Sequence, residues 1–191
     1  SSNADSSLGT FSVWIDKDNW ADAGAVWRSK NGYVEVLITA SKVRFQLFDA
    51  SGSMLLNFIS SARSEEGYVH ILASWNTNFG VGSKLLQIYI DGVSDLDAVG
   101  LDIGGPADVD YTRVDHAVGG NTTGASLIAA GMADLYLNTA ERMDFSVEAN
   151  RRKFRDANGK PVDLGADGST PTGSQPAVFF SGETDVWHTN L

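Results

Sequence analysis

Apolar and polar residues alternate along most of this chain, and the alternation is sharpest in residues 67–92. There Val69, Ile71, Ala73 and Trp75 share one face, while Tyr68, His70, Leu72 and Ser74 take the other. After a loop rich in Gly, Asn and Thr, Leu86, Ile88 and Ile90 oppose Leu85, Gln87 and Tyr89. A period of two with β-branched and aromatic residues is the mark of a strand, so this stretch predicts a hairpin that ends at the Asp91-Gly92 turn. A lone hairpin is marginal in water and needs a second layer over its apolar face.

The rest of the pattern supplies that layer. Residues 8–15 predict a strand with Phe11, Val13 and Ile15 on one face and Ser12 and Trp14 on the other. Residues 16–24 are polar, end in Gly and predict a loop that carries Trp20. Residues 25–29 and 33–39 predict a hairpin through Lys30-Asn31-Gly32, where Asn-Gly supplies the positive φ of a tight turn. Residues 42–48 and 54–60 follow as neighbouring strands about Asp49-Ala50-Ser51-Gly52. Beyond the central hairpin, residues 93–109 are Asp- and Gly-rich and predict a long surface loop. Residues 110–118 and 126–137 predict strands, the latter carrying Leu127, Met132, Leu135 and Leu137, and 177–180 and 186–188 predict two short final ones. One helix is expected over 149–155, with Ser146 as its cap, Glu148 at the positive end of its dipole and Asn158-Gly159 as its stop.

About ten short strands with frequent turn signals predict an all-β, two-sheet antiparallel β-sandwich of jelly-roll type with one short C-terminal helix. The expected division is a sandwich over residues 8–155 and a loop-rich extension over 156–191 whose short strands pack on the sandwich or leave it.

At 191 residues, with 42% hydrophobic and 20% charged positions, the chain suits one globular domain. The formal net charge of −10 argues against binding to nucleic acid or to anionic membrane surfaces. No apolar run approaches the length of a membrane span, so membrane insertion is not expected. With no cysteine, disulfides and thiolate metal sites are excluded, which is compatible with assembly in a reducing cytosol and later life outside the cell. The Ser-Ser-Asn-Ala opening reads as that of a processed or excised piece, with Ser2-Asn3-Ala4 as a cloning remnant, and the end at Leu191 reads as a cut within an element.

Five local signals, in order, resemble the concanavalin A-like lectin/glucanase superfamily in its laminin-G-like form. They are Phe11-Ser12-Val13-Trp14-Ile15, the Tyr68–Trp75 and Leu86–Gly92 strands of the hairpin, Val118-Gly119-Gly120-Asn121, and Ala133-Asp134-Leu135-Tyr136. Residues 143–154 and 159–165 are similar to segments of bacteriophage and prophage structural proteins that contain such a domain. The resemblance implies a virion component (decoration, fibre or tail) assembled in the bacterial cytoplasm. Its expected partners are other virion subunits, in an oligomer, and host surface glycans. The alternative is an extracellular carbohydrate-binding module of a secreted bacterial protein.

The candidate chemistry is that of binding. Retaining glucanases of the superfamily place paired carboxylates two or four residues apart on one strand, and glycoside hydrolysis needs such a pair. Here Glu65 and Glu66 are adjacent and so would face opposite ways, and Glu35 stands alone. No nucleophile motif accompanies His70, His116 or His188, and three scattered histidines without cysteine do not make a zinc site. No enzyme activity and no cofactor are expected. Calcium is the one metal open, because Asp91, Asp95, Asp97, Asp102, Asp108 and Asp110 crowd one region. The calcium position that the resemblance implies on the closing strand has Ala133 where an acid is expected. For sugar binding the candidates are Trp20, Trp27, Tyr33 and Asn121, on or beside loops, with Trp20 foremost; Trp14, Trp27 and Trp75 also read as core anchors. Arg151, Arg152, Phe154 and Arg155 read either as a solvated helix face or as a docking patch for an acidic neighbouring subunit.

Overall fold

A computed structural model describes residues 4–32, 34–80, 84–102, 105–113 and 115–183. Tyr33 and the expected strand at 186–188, with His188, lie outside the described residues.

Among the described residues there are twelve strands: β1 (Leu8–Asp16), β2 (Gly24–Ser29), β3 (Val34–Thr39), β4 (Lys42–Phe48), β5 (Met54–Ser60), β6 (Tyr68–Asn76), β7 (Leu85–Ile90), β8 (Val93–Ser94), β9 (Leu96–Asp102), β10 (His116–Val118), β11 (Gly131–Asn138) and β12 (Val178–Glu183). They form two antiparallel six-stranded sheets, ordered β12-β11-β1-β6-β7-β8 and β10-β2-β3-β4-β5-β9, so the fold is the expected all-β sandwich. The one α-helix among the described residues is α1 (Glu148–Arg151).

The apolar faces meet between the sheets. Ile71, Ala73 and Trp75 of β6 stand opposite Ile90, Ile88 and Leu86 of β7, and they pack with Phe45 and Phe58 from the other sheet. Trp75 is the anchor. Its indole lies over Gly9 of the neighbouring strand β1, and its Nε1–H donates to Tyr111 Oη at 2.8 Å. Tyr111 in turn donates to the carbonyl of Leu8 at 2.9 Å.

The first sheet is buried on both faces, unlike most antiparallel sheets, which leave one face to water. A second apolar cluster joins Leu72 and Tyr136 on its outer side to Met143, Phe145, Phe154 and Leu164 from the segment that follows β11. The polar residues between them dock this cover. Thr10 donates to the carbonyl of Glu141 and accepts from the amide of Met143, both at 2.9 Å. Gln87 accepts from the amide of Phe145 at 2.8 Å and donates to Asp144 at 2.9 Å. Hydrogen bonds from Gln87 and Ser146 hold the Asp144 carboxyl down at about 2.

Four expectations need correction. Residues 93–102 are not loop but β8 and β9; β9 pairs with β5, its Asp97 is neutralised by Lys42 of β4 at 2.8 Å, and Asp95 just before it by Arg63 of the loop after β5 at 3.1 Å. Residues 110–113 and 115 are not strand, because Asp110 Oδ1 accepts from the amide and hydroxyl of Thr112 and draws the chain into a local turn. The last long strand begins at Gly131 rather than at 126, since Ser126 has φ of 54° and its carbonyl serves the amide of Ala25. The helix is four residues long, with Val147 at its N-cap and no side-chain cap; the Ser146 hydroxyl donates to Asp144 instead.

A side chain at Gly9 would overlap the Trp75 indole. Gly9→Ala is therefore expected to destabilise the protein by about 1–3 kcal/mol. The check is a lower urea midpoint with an unchanged denaturant slope.

Candidate functional site

Of the sequence candidates for sugar binding, the three described residues, Trp20, Trp27 and Asn121, are each engaged within the chain. Trp20 is 2% exposed, with its Nε1–H donating to the carbonyl of Glu65 at 2.7 Å, so the loop folds its ring into the core and no face is left for a sugar. Trp27 is also a core residue, its ring 5.0 Å from that of His116. The Asn121 side-chain oxygen is spent on its own turn, accepting from the Thr123 amide and hydroxyl and from the Ala125 amide.

The basic run is spent within the chain as well. Arg151 donates to the carbonyls of Phe145 and Ser146 and lies 4.9 Å over the Tyr89 ring. Arg152 grips Glu148 at 2.6 Å, Arg155 approaches Asp91 at 3.8 Å, and Phe154 is buried beneath them. The crowded acids are dispersed too: besides the pairs at Asp95 and Asp97, Asp110 meets Arg113 at 2.6 Å. Among the described residues no group of three or more His, Asp or Glu is placed to hold a metal ion.

A groove of about 370 Å³ lies elsewhere, on the outer side of the first sheet, lined by Trp14, Tyr68, Ala133, Asp134, Gly159, Lys160, Pro161 and Gly182. Its volume falls within the range of small-ligand sites. Four strands (β1, β6, β11 and β12) and the covering segment contribute, so residues far apart in sequence converge there.

The carboxylate is supplied by a defect in β11. Met132 and Leu135 both belong to the inter-sheet core although they are three residues apart, which a regular strand forbids. An extra residue reconciles them: the β1–β11 register slips between Ser12 and Trp14, and the β11–β12 register slips between Ala133 and Leu135. Asp134 sits at this bulge with φ of 50°, a conformation that Asp tolerates better than most residues. The bulge thus keeps both neighbours in the core while Asp134 lines the groove. Its Oδ1 accepts from the amide of Gly182 at 2.8 Å. Burial pushes its carboxyl above the ordinary aspartate value, and Asp163 nearby adds to the rise, against the Gly182 hydrogen bond.

Aromatic rings form the floor and wall. Trp14 is 5% exposed, whereas Tyr68 is 44% exposed, so Tyr68 offers the ring on which a ligand can stack. Beneath Trp14 lies His70, fully buried, with ring centroids 4.4 Å apart at 14° and Nε2 3.0 Å from Ser12 Oγ. Desolvation drives the His70 pKa down to about 3, with the Arg155 charge adding to it, so the ring under the floor is neutral. The signal that reveals the site in sequence is the break in alternation between Met132 and Leu135; the part played by Tyr68, on the non-core face of its strand, has no such signal.

No family model and no curated protein sequence matches the chain. Solved structures do. A protein of Bacteroides ovatus ATCC 8483, provisionally described as carbohydrate binding, matches with a TM-score of 0.60 at 13% identity over 94% of this chain and 46% of its own. A tryptophan-to-alanine mutant of HCR/D matches at 0.52 and 15% identity, over 75% of this chain and 36% of its own. The botulinum neurotoxin type G receptor binding domain reaches 0.46 at 10% identity, over 82% and 41%, which adds nothing to the fold assignment. The chain thus spans under half the length of these structures, and at such identities the likeness is one of fold.

His70 gives the site a pH signature. Its folded pKa lies below its unfolded value of 6.5, so its contribution is fully present above about pH 6.5 and is lost as pH falls toward 3. One proton taken up on unfolding corresponds to about 1.4 kcal/mol per pH unit. Urea unfolding across this range should show a slope shallower by about that amount in His70→Phe; equal slopes would refute the assignment.

Proposed function

We propose that this chain is a non-enzymatic carbohydrate-binding module and that the groove at Asp134 is its binding site. The observation that carries the reading is the bulge, which places one half-buried carboxyl beside the exposed ring of Tyr68. Sugars present an apolar ring face and a hydroxyl rim. A ring to stack on and a carboxylate to accept from hydroxyls suit both, and bonds to a charged acceptor are among the stronger ones. Asp134 is the one carboxylate lining the groove among the described residues, so the pair needed for glycoside hydrolysis is not assembled there.

The carbohydrate-binding description of the Bacteroides protein agrees with this reading, which fits a module of a secreted bacterial protein. The virion setting rests on residues 143–165, whose side chains are largely engaged within the chain as the cover of the first sheet. The carbohydrate-binding reading therefore takes precedence.

A glycan array tests it. Wild-type protein should show saturable binding that Tyr68→Ala and Asp134→Asn each weaken by about tenfold or more. Melting temperatures should stay near wild type, because Tyr68 is exposed and Asn also tolerates the conformation at 134. Binding unaffected by both changes, or turnover of an oligosaccharide, would overturn the proposal.

A further inference from the structure

We infer that the groove selects acidic glycans, sugars bearing a carboxylate or sulfate, and that Lys160 is the residue that reads the charge; this rests on the carbohydrate-binding reading above.

In this acidic chain the cations are largely committed. Lys30 pairs with Asp115, Lys42 with Asp97, Arg63 with Asp95, Arg113 with Asp110 and Arg152 with Glu148. Lys17 and Lys153 donate to backbone carbonyls of Ala129 and Pro171. Arg155, beside the groove, faces Asp91. Lys160 differs: among the described residues its ammonium has neither an ion pair nor a hydrogen-bond acceptor, and it lines the groove.

Its backbone is nonetheless fixed. The Asp156 amide donates to the Lys160 carbonyl, and the Lys160 amide donates to Asp156 Oδ1, each at 2.8 Å. The adjacent Pro161 bridges to Arg155. The two acids nearest in sequence are spent on backbone amides rather than on the ammonium, Asp156 on those of Asn158 and Lys160 and Asp163 on that of Gly165. A firm turn thus carries an uncommitted cation at the groove.

Asp134 lines the same groove and does not pair with it. Acceptor and cation therefore stand unpaired in one cavity. A sugar that stacks on Tyr68, gives a hydroxyl to Asp134 and carries an anionic group to Lys160 satisfies all three. A neutral sugar leaves the ammonium unused. The attraction acts at short range, because physiological salt screens the net charge of the chain over about 8 Å.

The test uses an array of carboxylated, sulfated and neutral oligosaccharides, then titration of the strongest acidic binder against its carboxyl-reduced or desulfated counterpart. Wild-type protein should prefer the acidic form by about fivefold to twentyfold. Lys160→Gln should abolish the preference for the acidic form, and Lys160→Arg should restore most of it. The carboxylated and sulfated arms identify which anion is read. Equal binding of acidic and neutral forms by wild type, or a preference that survives Lys160→Gln, overturns this inference and leaves the module intact. No glycan binding, or binding indifferent to Tyr68→Ala, brings down the carbohydrate-binding reading and this one with it.

Discussion

The close approach of the Trp75 indole to Gly9 is the constraint on which the rest of the molecule depends. It sets the β1–β6 register, and in that register Trp14 lies opposite His70 and Ile15 opposite Val69. A slip of one residue would turn every side chain to the other face, sending Trp14 into the core and Phe11 out of it. The Tyr111 hydroxyl, which links the indole to the carbonyl of Leu8, closes the same lock from the loop side. The groove floor is therefore a consequence of packing on the opposite side of the sheet.

The covering segment adds a second layer of dependence. Because Met143, Phe145 and Phe154 bury the outer side of the first sheet, polar residues that would otherwise face water must find protein partners. Thr10, Ser12, His70, Ser74 and Gln87 do so, with one another or with the backbone of the cover. The arginines of the same segment serve this docking, which is why their charges are internal ties rather than an open patch.

Most of the fold was legible in the sequence because strands announce themselves by period. The core faces of β1, β4, β6 and β7 follow the alternation directly. Composition misled where it replaced period: acidic residues 93–102 suggested a loop, but ion pairs to Lys42 of β4 and Arg63 of the loop after β5 make Asp97 and Asp95 tolerable at a sheet edge. The site was less legible. Trp20 was attractive because its surroundings are polar, yet polarity of neighbours does not reveal which way a ring turns, and a single hydrogen bond to Glu65 fixes it inward. Asp134 entered the sequence reading only as part of the Ala133–Tyr136 signal, whereas its role comes from a break in parity between Met132 and Leu135.

The bulge at Asp134 also bears on how such a module can change over evolutionary time. Residues in a regular strand are bound to the packing on their face, so altering one disturbs the layer behind it. The inserted residue is exempt, since Met132 and Leu135 keep their places in the core on either side of it. Its side chain can therefore be exchanged among residues that accept its backbone geometry with little cost to the scaffold. The chemistry of the groove and structural integrity become separable traits at that one position, and a lineage can alter the first without passing through an unstable intermediate.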